Sequence, residues 1–157
     1  MHKVVTMTDL YPVMKETLVA GGCIRLTVTG TSMLPMLKHG QDTVVLEPVS
    51  GKLHKNDVVL YQRENGQFVL HRIVALEPDS RYTMCGDHQF IREYHISHRQ
   101  VIGRLNSFIH NGRLISRTSL GYKTYVFLLP VIRLFQRSFL AGGKDLFVTS
   151  RRTNENR

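Results

Sequence analysis

Ser32 lies in Gly30-Thr31-Ser32-Met33-Leu34-Pro35, a run that follows an alternating stretch and leads on to Gly40. A serine in this setting can act as a nucleophile. Gly30 permits a sharp turn and Pro35 stops the strand, so the hydroxyl is pushed out of the sheet. Serine attacks poorly at neutral pH and needs a base within hydrogen-bond reach. His71, in Val69-Leu70-His71-Arg72-Ile73, is a candidate. Its same-face neighbours Val69 and Ile73 are apolar, a setting that suits a structural histidine as well as a base. Burial would favour the neutral imidazole, the form able to accept a hydroxyl proton. Arg72 stays protonated and cannot take that role.

The remaining chemistry-bearing residues form no second site. Cys23 and Cys85 sit in no CxxC or Cys/His spacing, so neither zinc nor a disulfide framework is indicated. Both are expected to be buried as small apolar residues. His88, His95 and His98 fall in one polar loop at a spacing that matches no ligand set, and they are expected as exposed loop histidines. No cofactor and no metal is expected.

The elements that must position Ser32 and His71 read as β-structure. Ile24 to Thr29 alternates with Ile24, Leu26 and Val28 facing in and delivers the chain to Gly30. Strands are expected at 42–46, 57–61 and 68–74, the last two joined at Asn65-Gly66 by a type I′ turn. Another hairpin near Glu77-Pro78-Asp79-Ser80 leads into 82–85. A polar loop follows over 86–97, then 101–105 and a hairpin 108–110/113–115 around Asn111-Gly112. Short strands joined by hairpins predict a mainly β, antiparallel domain over 23–118. An amphipathic helix precedes it within 1–22, with Leu10, Val13, Met14, Thr17 and Leu18 on one face, Thr8 as N-cap and Gly21-Gly22 as the stop. Residues 119–140 read as a helical segment with a kink at Pro130, either packed on the β-domain or lying in a membrane interface, and 141–157 as a basic disordered tail.

Composition frames these elements. With 42% hydrophobic and 21% charged residues, the 157-residue chain is built like a globular domain and not like a disordered one. The net charge of +9 is unevenly spread: residues 1–112 carry 12 Lys and Arg against 10 Asp and Glu, whereas residues 113–157 carry 9 against 2. Such a basic segment suits an anionic partner or a plain solvated surface, and among partners an anionic membrane surface met by residues 122–157 is favoured over nucleic acid. No apolar run reaches the roughly 18 residues that span a bilayer, and no signal-peptide pattern opens the chain. A cytoplasmic protein, peripheral at the inner membrane face, is expected.

Five segments in order carry a family resemblance: Gly30-Thr31-Ser32-Met33-Leu34-Pro35 with Gly40, Asn56-Asp57-Val58-Val59-Leu60-Tyr61, His71-Arg72-Ile73-Val74, Gly86-Asp87, and Val101-Ile102-Gly103-Arg104. Together they resemble the boxes of the type I signal peptidase superfamily, which includes the self-cleaving SOS repressors, over roughly residues 24–105. The resemblance is to the histidine-base, endoplasmic-reticulum type, since His71 stands where bacterial-type members have lysine. It implies a coiled antiparallel β-domain, a Ser32 nucleophile and a His71 base. The oxyanion is then met by backbone at Gly30, Thr31 and Ser32. Gly30 replaces the serine that commonly assists two residues before the nucleophile, so a side-chain donor is missing. The group orienting His71 is Asp87, from the Gly-Asp box, or Glu93, at the downstream position used by the histidine type. Asn56 stands in place of a box glycine, and Asp57 is read as a turn residue.

The implied activity is that of a serine endopeptidase acting through an acyl-enzyme on a leader or signal-type segment, with small residues at the cleavage site. The alternatives are a regulatory protein like the self-cleaving repressors, or a peptide-binding module that keeps the fold without turnover.

Overall fold

The computed structural model describes residues 6–145, with side chains described as far as residue 138. The elements run α1 (Met7–Val19), β1 (Ile24–Thr27), β2 (Thr43–Glu47), β3 (Val58–Gln62), β4 (Phe68–Glu77), β5 (Arg81–Cys85), β6 (Glu93–Ser97), β7 (Val101–His110), β8 (Arg113–Ser116) and α2 (Leu120–Asp145). The strands form one antiparallel sheet in the order β1-β2-β7-β3-β4-β5-β6, with β8 paired to β7. The protein is therefore mainly β with a helix at each end. β7 serves three partners, and its register shifts against both β2 and β3. Such bulges bend a strand and strengthen its twist.

β3 explains how two cores share one sheet. Val58-Val59-Leu60-Tyr61 is buried at every position. Val58 and Leu60 join Met14, Leu18, Leu46, Leu105 and Phe108 on one face, while Val59 and Tyr61 join Ile73, Tyr82 and Met84 on the other. An uninterrupted apolar run is what a strand covered on both faces requires. In β4, His71 pairs with Val59 and Arg72 with Val58. Successive side chains leave a strand on opposite faces. His71 thus belongs to the Val59 and Tyr61 side, and Arg72 to the side of Met36 and Tyr122.

Helix α1 begins earlier than the sequence suggests. Thr6, not Thr8, is the N-cap, because its side chain and Asp9 form a reciprocal capping box. Its inward face is accordingly Met7, Tyr11, Met14 and Leu18, while Leu10 and Val13 are exposed. Burying Met14 and Leu18 contributes roughly 1.5–3 kcal/mol each. Gly21, at φ +81, ends the helix as expected.

Several strand details also differ. At Asn65-Gly66 only Gly66 has positive φ, and its N–H donates to the Arg63 carbonyl at 2.9 Å. This is a type I turn closed by a left-handed glycine, not a type I′ turn. At Asn111-Gly112 both residues have positive φ, as a two-residue type I′ turn needs. The stretches 101–105 and 108–110 are one strand, β7. Within the expected polar loop 86–97, Glu93–Ser97 is an edge strand on β5. Cys85 is buried, but Cys23 is exposed beside the start of β1.

Helix α2 continues through Pro130 and takes in residues 141–145, which the sequence assigns to a tail. The rest of that tail, 146–157, lies outside the described residues. Tyr122 is buried in the core of the β-domain with Tyr125 and Val126 packed against that core, and Leu129 is buried as well, so the inner face of α2 is packed. Among the described residues, no helix is long and apolar enough to cross a membrane.

Candidate active site

The loop from Val28 to Asp42 that carries Ser32 is tied at its base. Val28 accepts from the Gly40 N–H at 2.8 Å and donates to the Asp42 carbonyl at 2.9 Å. The fully buried Asp42 carboxylate accepts from the Lys38 N–H at 2.8 Å and contacts His110 Nδ1 at 2.9 Å. Met33, Met36 and Leu37 anchor the loop in the core, which leaves Ser32 partly exposed at its rim. Gly30 sits at φ +87, a conformation that L side chains rarely adopt.

The oxyanion assignment to Gly30 does not fit its geometry. Its N–H donates to His39 Nδ1 at 2.8 Å and is therefore engaged. Among the described residues the Ser32 N–H has no protein acceptor, so that donor is available. The Thr31 carbonyl closes the turn by accepting from Leu34 N–H. Behind Ser32, Gly86 leaves no room for a side chain: a Cβ there would lie 2.5 Å from the Ser32 carbonyl oxygen. The His88 N–H donates to that same oxygen at 2.8 Å. The segment after β5 thus holds the Ser32 turn in position.

Ser32 and His71 line one cleft of about 230 Å³, with Val28, Met33, Leu70 and Gln89 among its walls. His71 is 2% exposed. Its Nδ1 lies 3.1 Å from Glu93 Oε1 and 3.3 Å from the Tyr61 hydroxyl. Arg63 grips the same carboxylate with two bonds, at 2.7 and 2.6 Å. Burial would raise the Glu93 carboxyl, but the paired bonds from Arg63, with the Tyr61 hydroxyl nearby, outweigh it and hold it below its ordinary value. An ionised carboxylate only accepts, so its place beside Nδ1 favours the tautomer with the proton on that nitrogen, which leaves the Nε2 lone pair free. Burial, and Glu93 after it, push the Tyr61 hydroxyl far above its ordinary value, so it stays protonated. Burial also lowers His71 below its ordinary value; Glu93 opposes this and Arg63 adds to it. The imidazole is neutral at pH 7.

Of the two carboxylates weighed from sequence, Glu93 meets His71, and Asp87 is engaged elsewhere. Asp87 is fully buried against the Arg72 guanidinium, at 2.8 Å to Nε and 2.7 Å to Nη2. Tyr125 of α2 donates to it at 3.0 Å. All five Arg72 donors find partners, since Nη1 reaches the Asn56 carbonyl and Tyr122 hydroxyl and Nη2 also meets Met36 sulfur. Arg133, lower on α2, donates to the Gly86 carbonyl at 3.0 Å.

Tyr61 and Arg63 escape the sequence reading. The β3–β4 pairing would have put Tyr61 on the His71 face, but Arg63 has no local signal. The three loop histidines do not form one cluster: His95 pairs with Glu77 at 2.6 Å, His98 contacts the Tyr82 hydroxyl at 2.8 Å, and His88 is exposed. Asp57 accepts from the His54 N–H, as a turn residue does.

Comparison with known protein families, curated proteins and solved structures finds no match to this chain. The arrangement itself offers a hydroxyl, a neutral imidazole with a free nitrogen, and an ionised carboxylate behind it. These are the parts of a nucleophile, a base and an orienting group.

Proposed function

We propose that the chain is a serine endopeptidase of the histidine-base signal peptidase kind, with a coiled antiparallel catalytic domain. The observation that carries this reading is the shared cleft of Ser32 and His71, with Glu93 on the far nitrogen of the imidazole. Ser32 Oγ attacks a peptide carbonyl while His71 Nε2 takes its proton. Glu93 then stabilises the imidazolium, and the Ser32 N–H faces the oxyanion. His71 returns the proton to the leaving amine, and water resolves the acyl-enzyme by the reverse transfers. The small cleft supports a substrate with alanine-sized side chains at the scissile bond, as in a leader or signal-type segment. Asn56, at φ 76, adopts the left-handed conformation natural to the box glycine it replaces.

Co-expression with a leader peptide tests the assignment. Ser32→Ala and His71→Ala are each expected to abolish processing, and cleavage that persists in both variants overturns it. The acid limb of the pH profile should fall below the ordinary histidine value of 6.5, because burial favours the neutral base. One observation favours a second reading, a peptide-binding module without turnover: Gly30 brings no side-chain donor, and its N–H is held by His39. Such a module would bind the leader and leave it uncut.

A further inference from the structure

The outer face of α2 is apolar and uncovered among the described residues. Phe127, Val131, Leu134 and Phe135 follow one another at helical spacing, each at least half exposed; Phe127 is at 80% and Phe135 at 72%. A second element extends this patch. Phe90 and Ile91, in the segment before β6, are also exposed, Ile91 at 83%. Phe90, Leu134, Arg92 and Arg137 line a common groove between the two elements. Arg137 lies over the Phe90 ring at 5.6 Å. Large apolar side chains presented together by two elements, with guanidinium groups beside them, mark an interaction surface.

We infer that this face docks on an anionic lipid bilayer, with α2 lying in the plane of the interface. The apolar stripe enters the headgroup boundary, and Arg92 and Arg137 meet lipid phosphates. Charge selects this occupant. Arg92, Arg133 and Arg137 line the groove with no acidic side chain among its walls, so a second copy on the same face would oppose like charges. Nucleic acid would satisfy the arginines and leave the phenylalanines in water. The face reaches the candidate active site, because Gln89 borders both the groove and the cleft of Ser32 and His71. The inference deepens the peptidase reading by stating where a precursor is met, and its test needs no cleavage.

The test is flotation of the full-length Ser32→Ala protein with vesicles of phosphatidylcholine, with and without phosphatidylglycerol. Binding is expected to the mixed vesicles and to fall as salt rises. The exposed pair Phe127→Gln/Phe135→Gln should weaken it by about tenfold or more, and Arg92→Gln/Arg137→Gln should remove its preference for the anionic lipid. Circular dichroism and unfolding midpoints verify that both variants stay folded. Absence of binding to mixed vesicles overturns the inference. So does wild-type affinity in the phenylalanine variant, a dimer in light scattering that this variant dissolves, or tighter binding to an RNA oligonucleotide than to the vesicles.

Discussion

His71 and Arg72 are neighbours in β4, yet they anchor two carboxylate clusters of opposite character. On one face, Glu93 holds His71 with help from Arg63 and Tyr61, at the edge of a cleft. On the other, Asp87 and Arg72 are sealed together, with every guanidinium donor satisfied and two α2 tyrosines closing the cluster. The first leaves one basic nitrogen unused. The second leaves nothing unused. A buried ion pair with complete partners fixes structure, whereas a cluster with one open valence can exchange a proton. The difference also says what α2 does for the candidate site. Through Tyr125, Asp87 and Arg133 it grips the 86–88 segment, which in turn supports the Ser32 turn.

Exchanging the two carboxylates for amides gives the largest expected effects, one on stability and the other on rate. Asp87→Asn leaves a buried guanidinium unpaired and should cost about 3–5 kcal/mol of stability in urea unfolding. Glu93→Gln should leave stability within about 1 kcal/mol, because its ion pair is partly exposed. Its peptidase rate should nevertheless fall by about 10²-fold or more, because the imidazole loses its orienting charge. If both variants lose stability alike, the contrast between the clusters fails. Next in size, Gly86→Ala pushes a methyl against the Ser32 carbonyl. A peptidase rate lowered about tenfold or more is expected, with a stability loss of roughly 1–3 kcal/mol from overpacking. Tyr125→Phe, which removes a single bond to Asp87, should cost only about 1–2 kcal/mol in the same unfolding assay. The smallest effect concerns pH. Arg63 lowers the His71 pKa, so Arg63→Gln should move the acid limb of kcat/KM to higher pH. A shift to lower pH would mean that Arg63 does not act on His71 through its charge.

How far the sequence could be read follows the range of each signal. β1 and β2 were legible because alternation is local, and β3 because its apolar run is. The Ser32 loop was marked by its own glycines and proline. β6 was missed because Glu93-Tyr94-His95-Ile96-Ser97 is an edge strand with one buried side chain, Ile96, and so lacks a strong apolar face. That omission left the orienting group open between Asp87 and Glu93. The choice depends on which partner each carboxylate meets across the fold, and Arg72 is fifteen residues from Asp87. The Arg72–Tyr122 contact spans fifty residues and had no local trace.

A Ser32 nucleophile served by His71 and Glu93 is expected to form an acyl-enzyme. Its most direct measurement is the acylation burst with an alanyl peptide p-nitrophenyl ester, followed by peptide mapping of the acylated protein. A stoichiometric burst is expected, with the acyl group on Ser32. The burst should be lost in Ser32→Ala and His71→Ala and strongly slowed in Glu93→Gln. A burst that survives Ser32→Ala, or an acyl group mapped to another residue, would contradict it.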